Sequence, residues 1–213
     1  MTKQFMNLKI LKFVLLSEKI LCMKKFILVL ILVFSINSSA RPDDIRKFEL
    51  EGISIGDSVL NFLSVEEILK KKQYHKEQGN NKRVAHITNI KSSNQYLQIN
   101  VEFKTNDKNF IIIAITGFVD INRDIKKCYS KKNEIVNAIS SQFVDISPRN
   151  TGKQKHEFDN SSTYEGDVFQ FKTDGKEFIR VQCYDWSKKS GYEDQLRLEI
   201  VSSEYYKWLE SLL

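Results

Sequence analysis

The sequence predicts an α+β domain with a mainly antiparallel sheet and about three helices packed on one face of it. Apolar and polar residues alternate in strand-like segments such as 97–103, and apolar residues recur at three- and four-residue steps along 120–143. The pair Asp174-Gly175 is a strong hairpin turn signal. Hairpins in place of regular strand–helix–strand crossovers are typical of antiparallel sheets.

In the N-terminal half, the sequence predicts one short helix and a hairpin. Ser64-Val-Glu-Glu67 is a capping box, in which a hydroxyl and a carboxylate bind the unpaired amides of a first helical turn, and a helix should follow through residue 72. Residues 73–82 are polar and turn-rich, which predicts a mobile loop. The alternating segment 97–103 and the continuous apolar run 110–115 predict two paired strands.

In the C-terminal half, the periodic segment 120–143 predicts the longest helix, with lysines between its apolar positions. Two strands are expected at 167–171 and 178–184, joined by the hairpin turn, and a third at 195–200. A last helix is expected to be capped by one serine of the pair Ser202-Ser203.

Residues 23–40 predict a cleavable signal peptide. A positive start at Met23-Lys-Lys precedes an apolar run and small residues up to Ala40, which is the three-part pattern of a secretory signal. The run is shorter than the ~20 residues that a membrane-spanning helix needs, so we expect cleavage before Arg41 and no membrane anchor afterwards. We then expect residues 1–22 to be a mis-assigned N-terminal extension and residues 41–213 to form a single globular domain.

The net charge of +6 resides mostly in the segment that we expect to be removed. The first 40 residues hold six lysines and one acidic residue, and their removal leaves 27 basic and 26 acidic side chains. Nucleic-acid binding depends on an excess of basic side chains that neutralise phosphates. This balance argues against a nucleic-acid partner.

Two cysteines remain after residue 40, and both are predicted to point inward. Cys128 lies on the apolar stripe of the long helix, and Cys183 shares a strand face with Ile179 and Val181. In an exported protein an even pair of cysteines favours a disulfide. Two separately buried thiols are the alternative.

The motif Gly56-Asp57-Ser58-Val59 resembles the nucleophile block of the GDSL serine hydrolases. The resemblance implies that Ser58 attacks an ester and that a histidine takes its proton. That family supplies the histidine from an Asp-x-x-His element, whereas the last histidine here is His156, preceded at minus three by Lys153. The alternative is a structural one, in which Gly56 allows a tight turn and Asp57 or Ser58 caps the next helix.

Neither a metal site nor a cofactor is expected from the sequence. The three histidines are His75, His86 and His156, and no two of them stand at metal-ligand spacing along the chain.

Tyr184, Asp185 and Trp186 follow Cys183 at the end of a predicted strand and are the candidate binding residues. Aromatic residues at strand ends often line ligand pockets. Packing around the disulfide is the alternative explanation for them.

Three short elements carry a further resemblance: residues 52–58, Cys128-Tyr129 and Cys183-Tyr-Asp-Trp-Ser187. Together they are similar to small uncharacterised exported proteins of AT-rich free-living bacteria, which implies a periplasmic or secreted single domain and no assigned activity. We expect a non-enzymatic binding or interaction domain of the cell envelope, with an unknown small ligand or an envelope protein as its partner. A divergent serine hydrolase that uses Ser58 is the alternative.

Overall fold

The computed structural model describes residues 44–79 and 82–212. The described residues form three α-helices, which are α1 (Val65–Lys71), α2 (Ile125–Gln142) and α3 (Ser203–Glu210). They also form eight strands: β1 (Val84–Ile87), β2 (Tyr96–Lys104), β3 (Ile112–Val119), β4 (Arg149–Asn150), β5 (Gln154–His156), β6 (Asp159–Gln170), β7 (Phe178–Asp185) and β8 (Gln195–Val201). None of these helices has the length and apolar character that crossing a bilayer requires.

The eight strands form one sheet in which every neighbouring pair is antiparallel. The strand order is β1-β2-β3-β8-β7-β6-β4, and β5 pairs with β6 beside this path. The predicted α+β class with an antiparallel sheet is therefore confirmed. The predicted signal peptide, its cleavage site at Ala40 and Arg41, and the extension 1–22 lie outside the described residues.

One side of the sheet, called here the first face, carries the hydrophobic core. Its residues alternate along the strands and are at most 1% exposed, as at Val101, Ile115, Val181 and Leu198. Helix α2 lies on this face and contacts β7 and β8. Burying each such side chain contributes ~1.5–3 kcal/mol, so this layer supplies most of the driving force for folding.

Helix α2 is joined to the sheet by a disulfide. Cys128 of α2 and Cys183 of β7 are bonded across a sequence separation of 55 residues, and both side chains are buried. The predicted bridge is present, and the alternative of two separate thiols does not apply. Closing a loop of this length removes about 4 kcal/mol of unfolded-state entropy in the chain-entropy model.

A buried ion pair joins the same helix to β6. Lys132 is 4% exposed, and its ammonium donates to the Asp167 carboxylate, which also accepts from the Asn150 side chain at 3.0 Å. Glu165 lies 3.6 Å from the same ammonium. The sequence pattern placed the lysines of this helix between its apolar positions, so it gave no sign that one of them is buried.

The last helix differs from the expectation in one respect, because α3 packs on the opposite side of the sheet, called here the second face. Tyr206 contacts the Phe178 ring edge-on at 6.3 Å, and Glu204 lies 3.4 Å from Lys104. Phe178 and Lys104 alternate with the core residues Ile179 and Phe103, and so they project to the second face. Helix α3 is capped by Ser202, whose hydroxyl accepts from the Tyr205 amide at 3.2 Å.

Several boundaries differ from the predicted ones because local backbone geometry decides them. Strand β3 begins after Phe110, whose positive φ of 48° breaks the extended backbone, and it continues to residue 119. Helix α2 begins at residue 125 because the Asp124 carboxylate caps it, and Asn122 and Arg123 before it have positive φ.

The segment predicted to be a mobile loop is tied to the sheet in its described part. Gln73 and His86 exchange two backbone hydrogen bonds of 2.9 Å. The buried Gln78 side chain donates to the Val84 carbonyl at 2.6 Å and accepts from the Val84 amide at 3.2 Å. These hydrogen bonds pair backbone groups along one edge of β1. The sequence did not predict this strand.

The buried ion pair gives a direct test of how α2 is held. Replacing Lys132 by methionine leaves Asp167 as a largely buried carboxylate without its cation, so the free energy of unfolding should fall by about 3–5 kcal/mol. Urea denaturation measures it. The matched control is Lys131→Met, because Lys131 is exposed and pairs with Glu134 three residues along the helix, and the expected change is within about 0.5 kcal/mol. Equal effects of the two substitutions would contradict the structural role of Lys132.

Candidate functional site

Six aromatic rings meet at one end of the second face, and they are called here the aromatic surface. They come from β5, the turn that follows it, β6, the end of β7 and the loop after β7, and they are His156, Phe158, Tyr164, Tyr184, Trp186 and Tyr192. The antiparallel register brings them together, because Tyr164 lies directly opposite Tyr184. The distance between these two ring centroids is 6.0 Å.

Trp186 lies at the centre of this surface. Its ring stacks on Tyr184 with a centroid distance of 5.9 Å and an interplanar angle of 10°. His156 contacts it at 4.4 Å and Tyr192 at 4.8 Å. Ring contacts of this kind contribute ~0.5–1.5 kcal/mol each beyond the area they bury, so Tyr184 and His156 help to hold the Trp186 ring in place.

Tyr184 forms the buried base of the aromatic surface. The Arg197 guanidinium lies 4.3 Å from the Tyr184 centroid and 5.3 Å from that of Phe118, a cation held between two rings. The Tyr184 hydroxyl donates to the Gln182 side chain at 3.2 Å, and burial raises the pKa of Tyr184. The Arg197 Nε–H is buried and has no hydrogen-bond partner among the described residues.

A network of hydroxyls and one carboxylate fixes the chain next to Trp186. The hydroxyls of Ser162 and Ser187 both donate to the Asp159 carboxylate, and the Ser161 amide donates to it at 3.0 Å. These three hydrogen bonds lower the pKa of Asp159 to about 2, and the bonds from the serine hydroxyls have the largest effect. The network ties the start of β6 to the residue that follows Trp186.

The outer rim of the aromatic surface is strongly exposed. The Phe158 side chain is 92% exposed and Tyr192 is 68% exposed. Tyr192 also lines a cleft of about 460 Å³ together with Leu97, which is 66% exposed. Large apolar side chains gathered at one end of a domain mark an interaction site more often than isolated ones do.

The side chains of the three predicted binding residues do not all lie on one side of the sheet. Tyr184 and Trp186 both belong to the aromatic surface, Tyr184 as its buried base and Trp186 as its centre. Asp185 lies between them in sequence, and its carboxylate is 3.6 Å from the Lys153 ammonium. Because side chains alternate along a strand, Asp185 projects to the first-face side.

The structure does not bring Ser58 and His156 together. Ser58 caps the short turn Val59–Asn61: its hydroxyl accepts from the Leu60 amide at 3.1 Å and donates to the Asn109 carbonyl. Ser58 lies beside the start of β3, whereas His156 is on β5, four strand steps away in the sheet order. At ~4.8 Å per step this is roughly 19 Å, so His156 lies far outside hydrogen-bond reach of Ser58.

Sequence reasoning missed two groupings of residues. His156, Tyr164 and Tyr192 are scattered along the chain, and only the strand register shows that they meet at Trp186. His75 and His86, which have no metal-ligand spacing in the sequence, have ring centroids 4.9 Å apart. The sequence shows turn signals around both segments. It does not show which strands pair as a result, and that pairing brings the residues together.

The depressed pKa of Asp159 predicts how stability near Trp186 depends on pH. The folded value of about 2 lies below the ordinary 3.8, so the ionised carboxylate stabilises the fold above about pH 4, and that contribution disappears as the pH falls through 2. Asp159→Asn should therefore be less stable than the parent at pH 6 and equally stable near pH 2. Urea denaturation at both pH values, with an NMR titration of the Asp159 carboxyl, measures this.

The control for this prediction is Asp174→Asn, in the exposed hairpin turn before β7, where the carboxylate accepts from the Lys176 amide. A difference between parent and Asp159→Asn that stayed constant from pH 6 to pH 2 would contradict the assignment.

Comparison with known proteins gives no relative from which a role could be transferred. No protein-family model matches the chain, and neither the curated proteins nor the solved structures provide a match. The function has to be inferred from the chemistry of the described surface.

Proposed function

We propose that this chain is an exported, non-enzymatic binding domain that holds a polypeptide partner of the cell envelope against the aromatic surface. The observation that carries the proposal is the arrangement of Trp186 between the buried Tyr184 and the exposed Tyr192, with the exposed Phe158 joined to it through His156. A half-buried tryptophan with an exposed aromatic rim has the composition of a binding hot spot, in which a few rings contribute most of the affinity.

The shape and charge of the surface favour a polypeptide over a small charged ligand. The rings lie on an open strand end beside a cleft of about 460 Å³, which suits one anchoring side chain of a partner. Charged groups near the surface are of both signs and partly paired, as in Arg123 with Glu193, which line the cleft beside Tyr192. A surface of this kind has no excess charge to attract a polyanion.

Two further features support the exported location. The disulfide between Cys128 and Cys183 is the kind of bond that persists in oxidising compartments and is rare in the cytosol. Residues 23–40 have the pattern of a secretory signal. Such a location would expose the aromatic surface to proteins of the envelope.

Site-specific photo-crosslinking in the native cells tests the partner. Replacing Tyr192 by a photoreactive benzoyl-phenylalanine keeps an aromatic ring at an exposed position, and illumination should give one discrete larger product on a denaturing gel. Adding Trp186→Ala should reduce that product at least tenfold, because the ring at the centre of the surface is lost.

The matched control places the same photoreactive residue at Val144, which is 80% exposed and lies just after α2. It should give no discrete product. The proposal fails if Tyr192 and Val144 give the same products, or if the product at Tyr192 survives the loss of Trp186.

A mass measurement tests the export step and the hydrolase alternative together. The protein recovered from outside the cytoplasm should have the non-reduced mass of residues 41–213 less two hydrogen atoms, because the signal is removed and the cysteines are bonded. A fluorophosphonate probe should leave this mass unchanged, since the Ser58 hydroxyl is occupied as a cap and His156 is remote. A retained N-terminus would contradict export, and an adduct on Ser58 would contradict the non-enzymatic role.

A further inference from the structure

A second cluster of functional side chains lies away from the aromatic surface, where the edge strands β1 and β2 meet the segment before them. His86 of β1 is directly opposite Glu102 of β2 in the antiparallel register. Gln73 is bridged to His86 on the other side of β1, and His75 follows Gln73 by two residues. Because side chains two residues apart share a face, the backbone pairing places both histidines and the carboxylate on the second face.

The ligand atoms are already close together. One ring nitrogen of each histidine and one carboxylate oxygen of Glu102 all lie within 4.8 Å of one another. His75 Nε2 and Glu102 Oε2 are 2.9 Å apart. Two ligands of a tetrahedral zinc ion, each ~2.0–2.1 Å from the metal, are ~3.3 Å apart, so small side-chain rotations would bring the three ligand atoms to that spacing.

The hydrogen bonds around His86 leave one nitrogen available. Its Nε2–H donates to the Gln73 side-chain oxygen at 3.1 Å, which places the lone pair of the neutral ring on Nδ1. Nδ1 is buried and has no hydrogen-bond partner among the described residues. Metal-binding histidines characteristically donate their other ring N–H to an oxygen in this way, which fixes the ring and its tautomer.

Aromatic residues of α3 cover one side of the cluster. The Trp208 ring lies 5.2 Å from His75 and is stacked on Tyr205 at 5.3 Å. The Glu102 side chain is 15% exposed and that of His75 is 28% exposed, so the ligands are partly screened from water. Trp208 also lines a cavity of about 850 Å³ together with Lys104 and Glu204.

We infer that His75, His86 and Glu102 form a binding site for one divalent transition-metal ion, with zinc as the best-suited ion. Two imidazoles and one carboxylate suit zinc and its neighbours in the first row, whereas calcium and magnesium prefer sites made of oxygen ligands alone. Three protein ligands leave a fourth position open, which water or a ligand group would fill. The site is independent of the proposed polypeptide binding, because none of its residues belongs to the aromatic surface.

Isothermal titration with ZnCl₂ tests the inference on the chain purified without a histidine tag. We expect one zinc per chain. His75→Asn and His86→Asn should each weaken binding at least tenfold, and Glu102→Gln should weaken it while preserving the size of the side chain. Gln73→Leu removes the oxygen that orients His86, and the loss there should be ~10–100-fold.

The chain supplies its own control, because His156 is the third and last of its histidines. His156→Asn should bind zinc as the parent does. A change in the visible spectrum of added Co²⁺ to that of a four-coordinate ion, present in the parent and absent in His86→Asn, would independently support the site.

Three outcomes would overturn the inference. They are the absence of stoichiometric zinc binding by the parent, binding that His86→Asn leaves intact in a folded protein, and binding that is lost on His156→Asn. Circular dichroism of each variant establishes that it is folded, so failure to fold is distinguished from failure to bind.

Discussion

The docking of α2 on the first face is the constraint on which the rest of the structure depends. Helix α2 shares the core with residues such as Ile53 and Ile68, and two specific links fix its position: the disulfide to β7 and the buried pair of Lys132 with Asp167 on β6. Both links reach neighbouring strands of the same sheet half. With the core concentrated on this face, the second face does not have to be apolar, and it can carry polar and aromatic side chains.

The second face is divided between two regions of different character. Helix α3 covers the end near Phe178 and β2, where Trp208 contacts His75, and it leaves the end near Trp186 uncovered. Between them runs a polar row in which Arg180 pairs with Glu199. From Glu102 on β2 to Trp186 after β7, the path crosses three strand steps and about eight residues of strand length, so the two regions are roughly 30 Å apart. The two proposed sites on this face are therefore separate.

Signals confined to a few neighbouring residues predicted much of the fold. These signals are the capping box at Ser64, the alternation in β2 and β8, and the apolar stripe of α2. Each of them depends on residues that are close together along the chain, and each predicted element is present. The disulfide followed from two such signals, because both cysteines were placed on apolar faces. The burial of Lys132 could not be predicted, since it depends on a carboxylate 35 residues away on β6.

The sites were less predictable than the fold because strand register creates them. Trp186 and Tyr184 are adjacent to the predicted strand end and could be named as candidates from the sequence, whereas His156 and Tyr192 reach them only through the pairing of β5 with β6 and the return of the loop after β7. His75 and His86 are 11 residues apart with no helical or strand period that links them. The bridge between Gln73 and His86 folds that segment back, and the sequence signal for it is only a turn-rich stretch.

The two regions also differ in how much ordering a ligand would cost them. His86 and Glu102 are held on paired strands and Gln73 is bridged to the first of these, so a metal ion would find its ligands in place, and little side-chain entropy would be lost. The outer rings of the aromatic surface, Phe158 and Tyr192, lie outside the strands and are mostly exposed, and a partner would have to immobilise them. Immobilising each such side chain costs ~0.5–1.5 kcal/mol, which Trp186 and its stacked neighbour offset only when the partner buries them fully. High selectivity for a partner that covers the whole surface, and weak affinity for any single aromatic group, follow from this arrangement.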